Sequence, residues 1–340
     1  MVLTEYVKVN ELLIEDMLGL KKGDTMLIPV SAGIPEAYDI ALLAQQYATS
    51  IGVKADIFVI APRSRGSPPN RELTSAAREV DGLYQMAPFH ALDLKVTFDK
   101  CKIPMAYVSE SPGIDESLIR TMVHVDAEWQ RRVGRRIANE FTEADEARIT
   151  TRTGTDYTED ISKIPGEALS GYAADPEGTP WEYVPGSCPG IVEREWGVAN
   201  GKVVYDDGAY KGAEIVIEDS RIASFGGGFQ GELLQRHLGD RINDPDFMCP
   251  TEWGIGTNPR ARMVAPNGRS LLEWERVLGL IHFHFGDSQP YPVMKDGKLT
   301  NPEWKPAKFH EGPNLWYPTV YLDDKLIVKD GVIQEEYYKK

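Results

Sequence analysis

The sequence predicts an α/β fold: an N-terminal domain on a mainly parallel sheet with helices on both faces, then a mixed, strand-rich domain. Apolar runs of strand length alternate with helical patterns through the first half. A long polar helix closes that half. From about residue 165 glycine and proline multiply and short alternating strands take over. The expected domains are therefore residues 1–165 and 166–340.

"DTMLIPV" (24–30) is an apolar run of strand length. It is followed by "PEAYDIALLAQQYATSIG", an amphipathic helical pattern ending at Gly52, a residue suited to a helix C-cap. "KADIFVIAP" (54–62) gives the next strand, "SPPNRELTSAAREVD" a helix begun by prolines, and "GLYQM" a short strand. "ALDLKVTFDKC" and "IPMAYVS" continue the alternation. Strands separated by helices pair in parallel, because the crossover returns the chain to the same edge. No G-x-G-x-x-G or G-x-x-x-x-G-K-[ST] follows these strands, so no nucleotide signature is present. "VDAEWQRRVGRRIANEFTEAD" (125–145) is the long polar helix, and "ARITTRTGTDYTEDIS" a strand and turn. Beyond the Gly/Pro-rich "IPGEALSGYAADPEGTPWEYVPGSCPG", the segments "GKVVYDD", "AEIVIEDSRIASFGGG" and "PTVYLDDKLIVKDGVI" predict antiparallel strands.

Bulk properties narrow the function. With 42% apolar and 26% charged residues, the chain can bury a sizeable core. A net charge of −15 argues against nucleic acid and against anionic membrane surfaces, since both need clustered Lys and Arg. Three widely spaced cysteines (Cys101, Cys188, Cys249) suit a reducing cytoplasm better than a disulfide framework. Acidic residues interrupt the apolar stretch near the N-terminus, which does not read as a signal peptide. No apolar run approaches bilayer-spanning length. A cytosolic enzyme or binding protein is expected.

Ligand-type residues gather in the second half. Glu252 sits in "CPTEWGIGTNPRA", His282 and His284 in "GLIHFHFGDSQP", and His310 in "KFHEGPNLWYPTVYLDD". On a strand, His282 and His284 project to one face and Phe283 and Phe285 to the other. A carboxylate with two or three imidazoles describes a mononuclear site for Fe(II), Mn(II) or Zn(II). The alternative is that the histidines are hydrogen-bonded core residues and Glu252 a surface acid beside a turn. His90, His124 and His237 read as solvated or packed. Cys188 and Cys249, each before a proline, read as small buried side chains.

The motifs "GTDYT", "ANG", "SFGGGF", "TEWGIGTNPRA", "VLGLIHFHFGD" and "PTVYLDDKLIVKDG" occur in an order along nearly the whole chain. That order resembles the thermophilic-type aminopeptidases (the T and S group) and their relative 2,5-dihydroxypyridine dioxygenase. The peptidases use a two-metal cluster. Its glutamate in an E-L-G-I-G-type motif matches Glu252, and its histidine in an H-I-A-x-G motif matches His282. The H-x-D pair falls on His310 and Gly312. A further glutamate is expected within "VPGSCPG", where Ser187, Cys188 and Pro189 stand. Two carboxylates are thus missing, and paired divalent cations generally need them for charge balance. The resemblance therefore implies one metal, held by Glu252, His282 and His310.

The dioxygenase relative is similar in having lost the second metal, with two histidines and one aspartate holding iron. Its ligand positions match Glu252, His310 and Gly312, so a carboxylate replaces one histidine and the aspartate is gone. His284 replaces a small residue of the family pattern and is a candidate fourth ligand or acid/base group. Tyr183, in "WEYVPG", stands where the dioxygenase has a histidine near its substrate, which makes it a candidate substrate contact. The resemblance implies a homo-oligomeric, mononuclear non-haem Fe(II) ring-cleaving dioxygenase. Its partners would be O2 and a small hydroxylated aromatic or N-heterocycle. The alternative is a peptidase or amidase using Zn(II) or Mn(II). A third reading is a family member that binds a small ligand without metal.

Overall fold

The computed structural model describes residues 3–33, 35–63, 67–87, 91–92, 103–108, 114–162, 166, 168, 181–184, 198–244, 247–262, 274–286, 294–295, 298–299 and 310–339. Internal contacts group the chain into two units that interleave in sequence: 1–131 with 169–187 and 258–276, and 132–168 with 188–257 and 277–340.

The first unit is built on a parallel sheet. Helix α1 (Leu3–Asn10) runs into a π-helical turn, and together they bury Tyr6, Val9, Leu13, Ile14 and Met17. Strand β1 (Thr25–Ser31) is buried along its length. Helix α2 (Pro35–Ile51) opens on a proline, whose missing N–H costs nothing there, and ends at Gly52, with φ +86°. Its buried stripe is largely alanine (Ala37, Ala41, Ala44, Ala48), which lets the helix lie close to its neighbours. Strand β2 (Lys54–Ile60) pairs with β1 in parallel. Helix α3 (Arg71–Ala77) is capped by Asn70, whose side chain accepts from the Leu73 N–H at 2.8 Å. Strands β3 (Gly82–Gln85) and β4 (Met105–Val108) extend the sheet, again in parallel. Alternation places Ile28, Val30, Tyr84, Ala106 and Val108 in the core that α1 and α2 cover. The short helix α4 (Ile114–Leu118) adds Leu118 to that core.

The long helix α5 (Ala127–Glu143) is polar by composition yet buries Val133, Ile137, Ala138 and Phe141 at helical spacing. Strands β5 (Glu146–Thr150) and β6 (Asp156–Asp160) form an antiparallel hairpin. The chain then returns to the first unit as β7 (Trp181–Val184), which pairs in parallel with β4. The sheet order is β2-β1-β3-β4-β7. The sequence places "WEYV" in a Gly/Pro-rich connection; its strand state depends on the open edge of β4, a partner more than 70 residues upstream. Sequence texture suggests one boundary at residue 165. Segments borrowed back by the first unit, such as β7, make the observed grouping discontinuous instead.

In the second unit, β8 (Ala199–Val204), β9 (Glu214–Glu218) and β10 (Arg221–Gly226) extend the hairpin. Asp219 and Ser220, at φ 48° and 60°, form the two-residue turn between β9 and β10, the conformation that matches strand twist. Helix α6 (Phe229–Leu238) follows, then the buried strand β11 (Met248–Ile255) and β12 (Ile281–Gly286). Strands β13 (Met294–Lys295) and β14 (Lys298–Leu299) pair with each other. Strands β15 (His310–Glu311) and β16 (Asn314–Leu315) both pair with β12. Finally β17 (Thr319–Leu322), β18 (Lys325–Lys329) and β19 (Val332–Ile333) complete an eight-stranded antiparallel sheet. Its order is β10-β9-β8-β6-β5-β17-β18-β19, and the smaller sheet has β12 between β11 and β15/β16. The α/β class, parallel sheet first and strand-rich region after, is as the sequence predicts. No helix among the described residues is long and apolar enough to cross a membrane.

Candidate metal centre

The small sheet of the second unit brings three predicted ligands to one face. In β12, His282 and His284 alternate with Phe283 and Phe285, so the imidazoles share a face, with ring centroids 5.2 Å apart. Strand β11 runs antiparallel beside it, with Glu252 opposite His284 and Gly254 opposite His282. His284 Nδ1 lies 2.9 Å from Glu252 Oε1. One ligand atom from each of Glu252, His282 and His284 falls within 4.8 Å of the other two.

This set fits a divalent cation. Metal–nitrogen and metal–oxygen bonds of about 2.1 Å place neighbouring ligand atoms roughly 3–4 Å apart. The Glu252–His284 separation already equals such an edge, and the His282 ligand atom lies within 4.8 Å of both. Burial supplies a second reason. Glu252 is 4% exposed and His282 1%. A carboxylate held that far from water is costly unless a cation or strong donors offset its charge. His284 is the member that reaches solvent, at 13% side-chain exposure, so a small molecule would approach from its side.

On the far edge of β12, backbone register pairs Gly286 with His310 and His282 with Asn314. Gly312 lies between these pairs, opposite His284. The Phe283 N–H donates to the Pro313 carbonyl at 3.0 Å, so the strands stay in contact across the break. A Cβ added at Gly312 would stand 1.7 Å from the Phe283 carbonyl oxygen and 2.9 Å from His284 Cα. The aspartate that the sequence resemblance leads one to expect here has no room: backbone occupies the space its side chain would need.

The back face of this sheet is apolar with one buried acid. Phe283 meets Tyr157 edge-on at 5.4 Å, and Phe285 meets Phe247 at 5.8 Å. Trp253 packs on Phe141 at 4.9 Å and donates its indole N–H to Glu159 Oε2 at 2.9 Å. Tyr157 donates its hydroxyl to the same oxygen. At the edge of β15, Glu311 pairs with His237 at 2.9 Å. Burial, and then the Glu311 charge, raise the phenols of Tyr205 and Tyr210 above their ordinary range.

Of the residues singled out in the sequence, Glu252, His282 and His284 come together. The backbone of His310 lies on the same small sheet, but its side chain falls outside the described groups. Tyr183 is on β7 in the other unit, and its side chain is likewise not described. His124 faces Glu5 at 3.7 Å, and Cys249 is free and buried. His90, Cys101, Cys188 and the Ser187–Pro189 positions lie outside the described residues. Sequence reading missed Glu159. Its signal was an acid in step with Tyr157 and Ile161, the inward face of an alternating strand.

Two solved structures share this fold along the chain. The 2,5-dihydroxypyridine dioxygenase of Pseudomonas putida KT2440 matches with a TM-score of 0.77 at 16% identity, covering 100% of both chains. Wild-type AmpT from Thermus thermophilus matches with a TM-score of 0.59 at 14% identity, covering 97% of this chain and 99% of that one. Both groups named by the sequence resemblance are thus met as fold relatives. No protein-family profile matches the chain, and no curated sequence relative matches it.

Proposed function

We propose that this chain is a mononuclear non-haem Fe(II) dioxygenase that opens the ring of a small hydroxylated aromatic or N-heterocyclic substrate. The observation that carries the reading is the buried Glu252–His282–His284 cluster, a two-histidine, one-carboxylate set on one sheet face. Iron bound there would supply open positions at which substrate and O2 meet. The chain's own residues do the rest. Glu252 supplies the negative charge that balances the cation. His282 lies in the central strand, shielded from water. His284 stands at the solvent-facing side: it is proposed as a ligand, or, where His310 completes the set in its place, as the base that takes a substrate hydroxyl proton. His310 is proposed as a further ligand and Tyr183 as a substrate contact. The partners are the small-molecule substrate and O2, in a cytoplasmic homo-oligomer.

The fold likeness supports this reading, being greater to the dihydroxypyridine dioxygenase than to AmpT. The filled space at Gly312 also removes a carboxylate that a two-metal site would call on. Protein purified without oxygen and loaded with Fe(II) is expected to consume one O2 per dihydroxylated ring opened. No uptake with any dihydroxylated pyridine or benzene would rule the reading out. The second reading is a hydrolase of aminoacyl amides, since the same donors suit Zn(II) or Mn(II). Chelator-sensitive amidase activity restored by Zn(II) and not Fe(II) would select it.

A further inference from the structure

We infer that Glu159 is a positioning residue for the metal cluster, acting from the opposite face of the small sheet through Trp253 and Phe283; this rests on the metal reading above. Glu159 belongs to β6 of the eight-stranded sheet and is 1% exposed. Its flanking partners in register are Ala147 on β5 and Ala199 on β8, both fully buried and too small to fill the layer. That leaves the glutamate free to reach across to β11. There one carboxylate oxygen accepts from both the Trp253 indole and the Tyr157 hydroxyl.

It reaches two immediate chain neighbours of the ligands, Trp253 directly and Phe283 by way of Tyr157. Trp253 follows Glu252 on β11. Phe283 lies between His282 and His284 on β12 and rests on the Tyr157 ring. Alternation turns each ligand to the front whenever its neighbour is held at the back. Two strands that share a metal must keep their register, yet the β11–β12 pairing is irregular between Met248 and Glu252. The Glu159–Trp253 bond adds a second hold on β11 at the start of its regular Glu252–Ile255 pairing, one residue beyond the irregular stretch. A carboxyl oxygen shared by two buried donors is also among the stronger fixed points available in a core.

The test is Co(II) titration into metal-free full-length protein, reading affinity and the visible absorption of the bound ion. Glu159→Gln keeps an oxygen acceptor and is expected to stay within about twofold of the parent. Glu159→Leu leaves both donors without it and is expected to weaken binding by about tenfold or more, the scale of a lost outer partner, with a changed spectrum. Equal affinity and spectrum in the parent and Glu159→Leu overturn the inference while leaving the metal reading intact. A parent that takes up no Co(II) overturns both. Should Glu159→Leu fail to fold by circular dichroism, Trp253→Phe decides. It removes the N–H and keeps an aromatic ring: several-fold weaker binding supports the inference, and unchanged binding overturns it.

Discussion

His282→Ala is expected to abolish metal binding, taking the Fe(II) content of protein purified without oxygen from about one per chain to none. Loss of an outer hydrogen-bond partner costs about 10–100-fold in metal affinity, so loss of a ligand exceeds 100-fold. His282 is the most buried of the three candidates and lies in the middle strand of its sheet. Comparing the metal-free parent with the variant by thermal unfolding separates ligand loss from the cavity that the missing ring leaves. His284→Ala is expected to lose the metal as well, because Nδ1 stands at ligand spacing from Glu252 Oε1. Metal retained with turnover lost would instead make His284 an acid/base residue. Full metal content in His282→Ala would end the assignment of this cluster.

Gly312→Asp is the second large effect. Placing an aspartate at this position is expected to unfold the edge of the site, with no gain of a second metal. The first added carbon would sit 1.7 Å from the Phe283 carbonyl, far inside contact distance, and backbone cannot rotate away as a side chain can. Either β12 or the turn between β15 and β16 must move. Overpacking of this kind costs about 1–3 kcal/mol, and displaced pairing places this case at the upper end. Gly312→Ala meets the same atoms and should show most of the loss, which thermal unfolding would measure. A Gly312→Asp protein of parental stability that binds two metals per chain would overturn the expectation.

The two expectations also mark how far the sequence could be read. "HFHFG" states its own geometry, since alternation alone puts two imidazoles on one side of a strand. "TEWGIG" names a carboxylate, but its distance from the histidines depends on the pairing of β11 with β12. The 25 residues between the two strands do not fix that register. Likewise the missing aspartate could be seen as a glycine, while the reason no side chain fits there is a carbonyl contributed by another strand. His284, read as a ligand or an acid/base, gains its place from Glu252 across the ladder. Glu159 shows the opposite limit. Its burial follows from alternation within "DYTED", yet its partner Trp253 lies 94 residues away.

The sequence by itself determined the class of fold, the alternating faces of its strands, and the residue types able to hold a metal. Each of these is local, set by backbone sterics and side-chain period over a few residues. Only the tertiary structure decided that β7 completes the first sheet and that Glu252 meets His284. It alone showed Gly312 pressed against β12, and Glu159 bracing the sheet from behind. Those are contacts between distant segments, selected by the burial of whole faces and the pairing of strand edges, and no short window of sequence records which edge will be met.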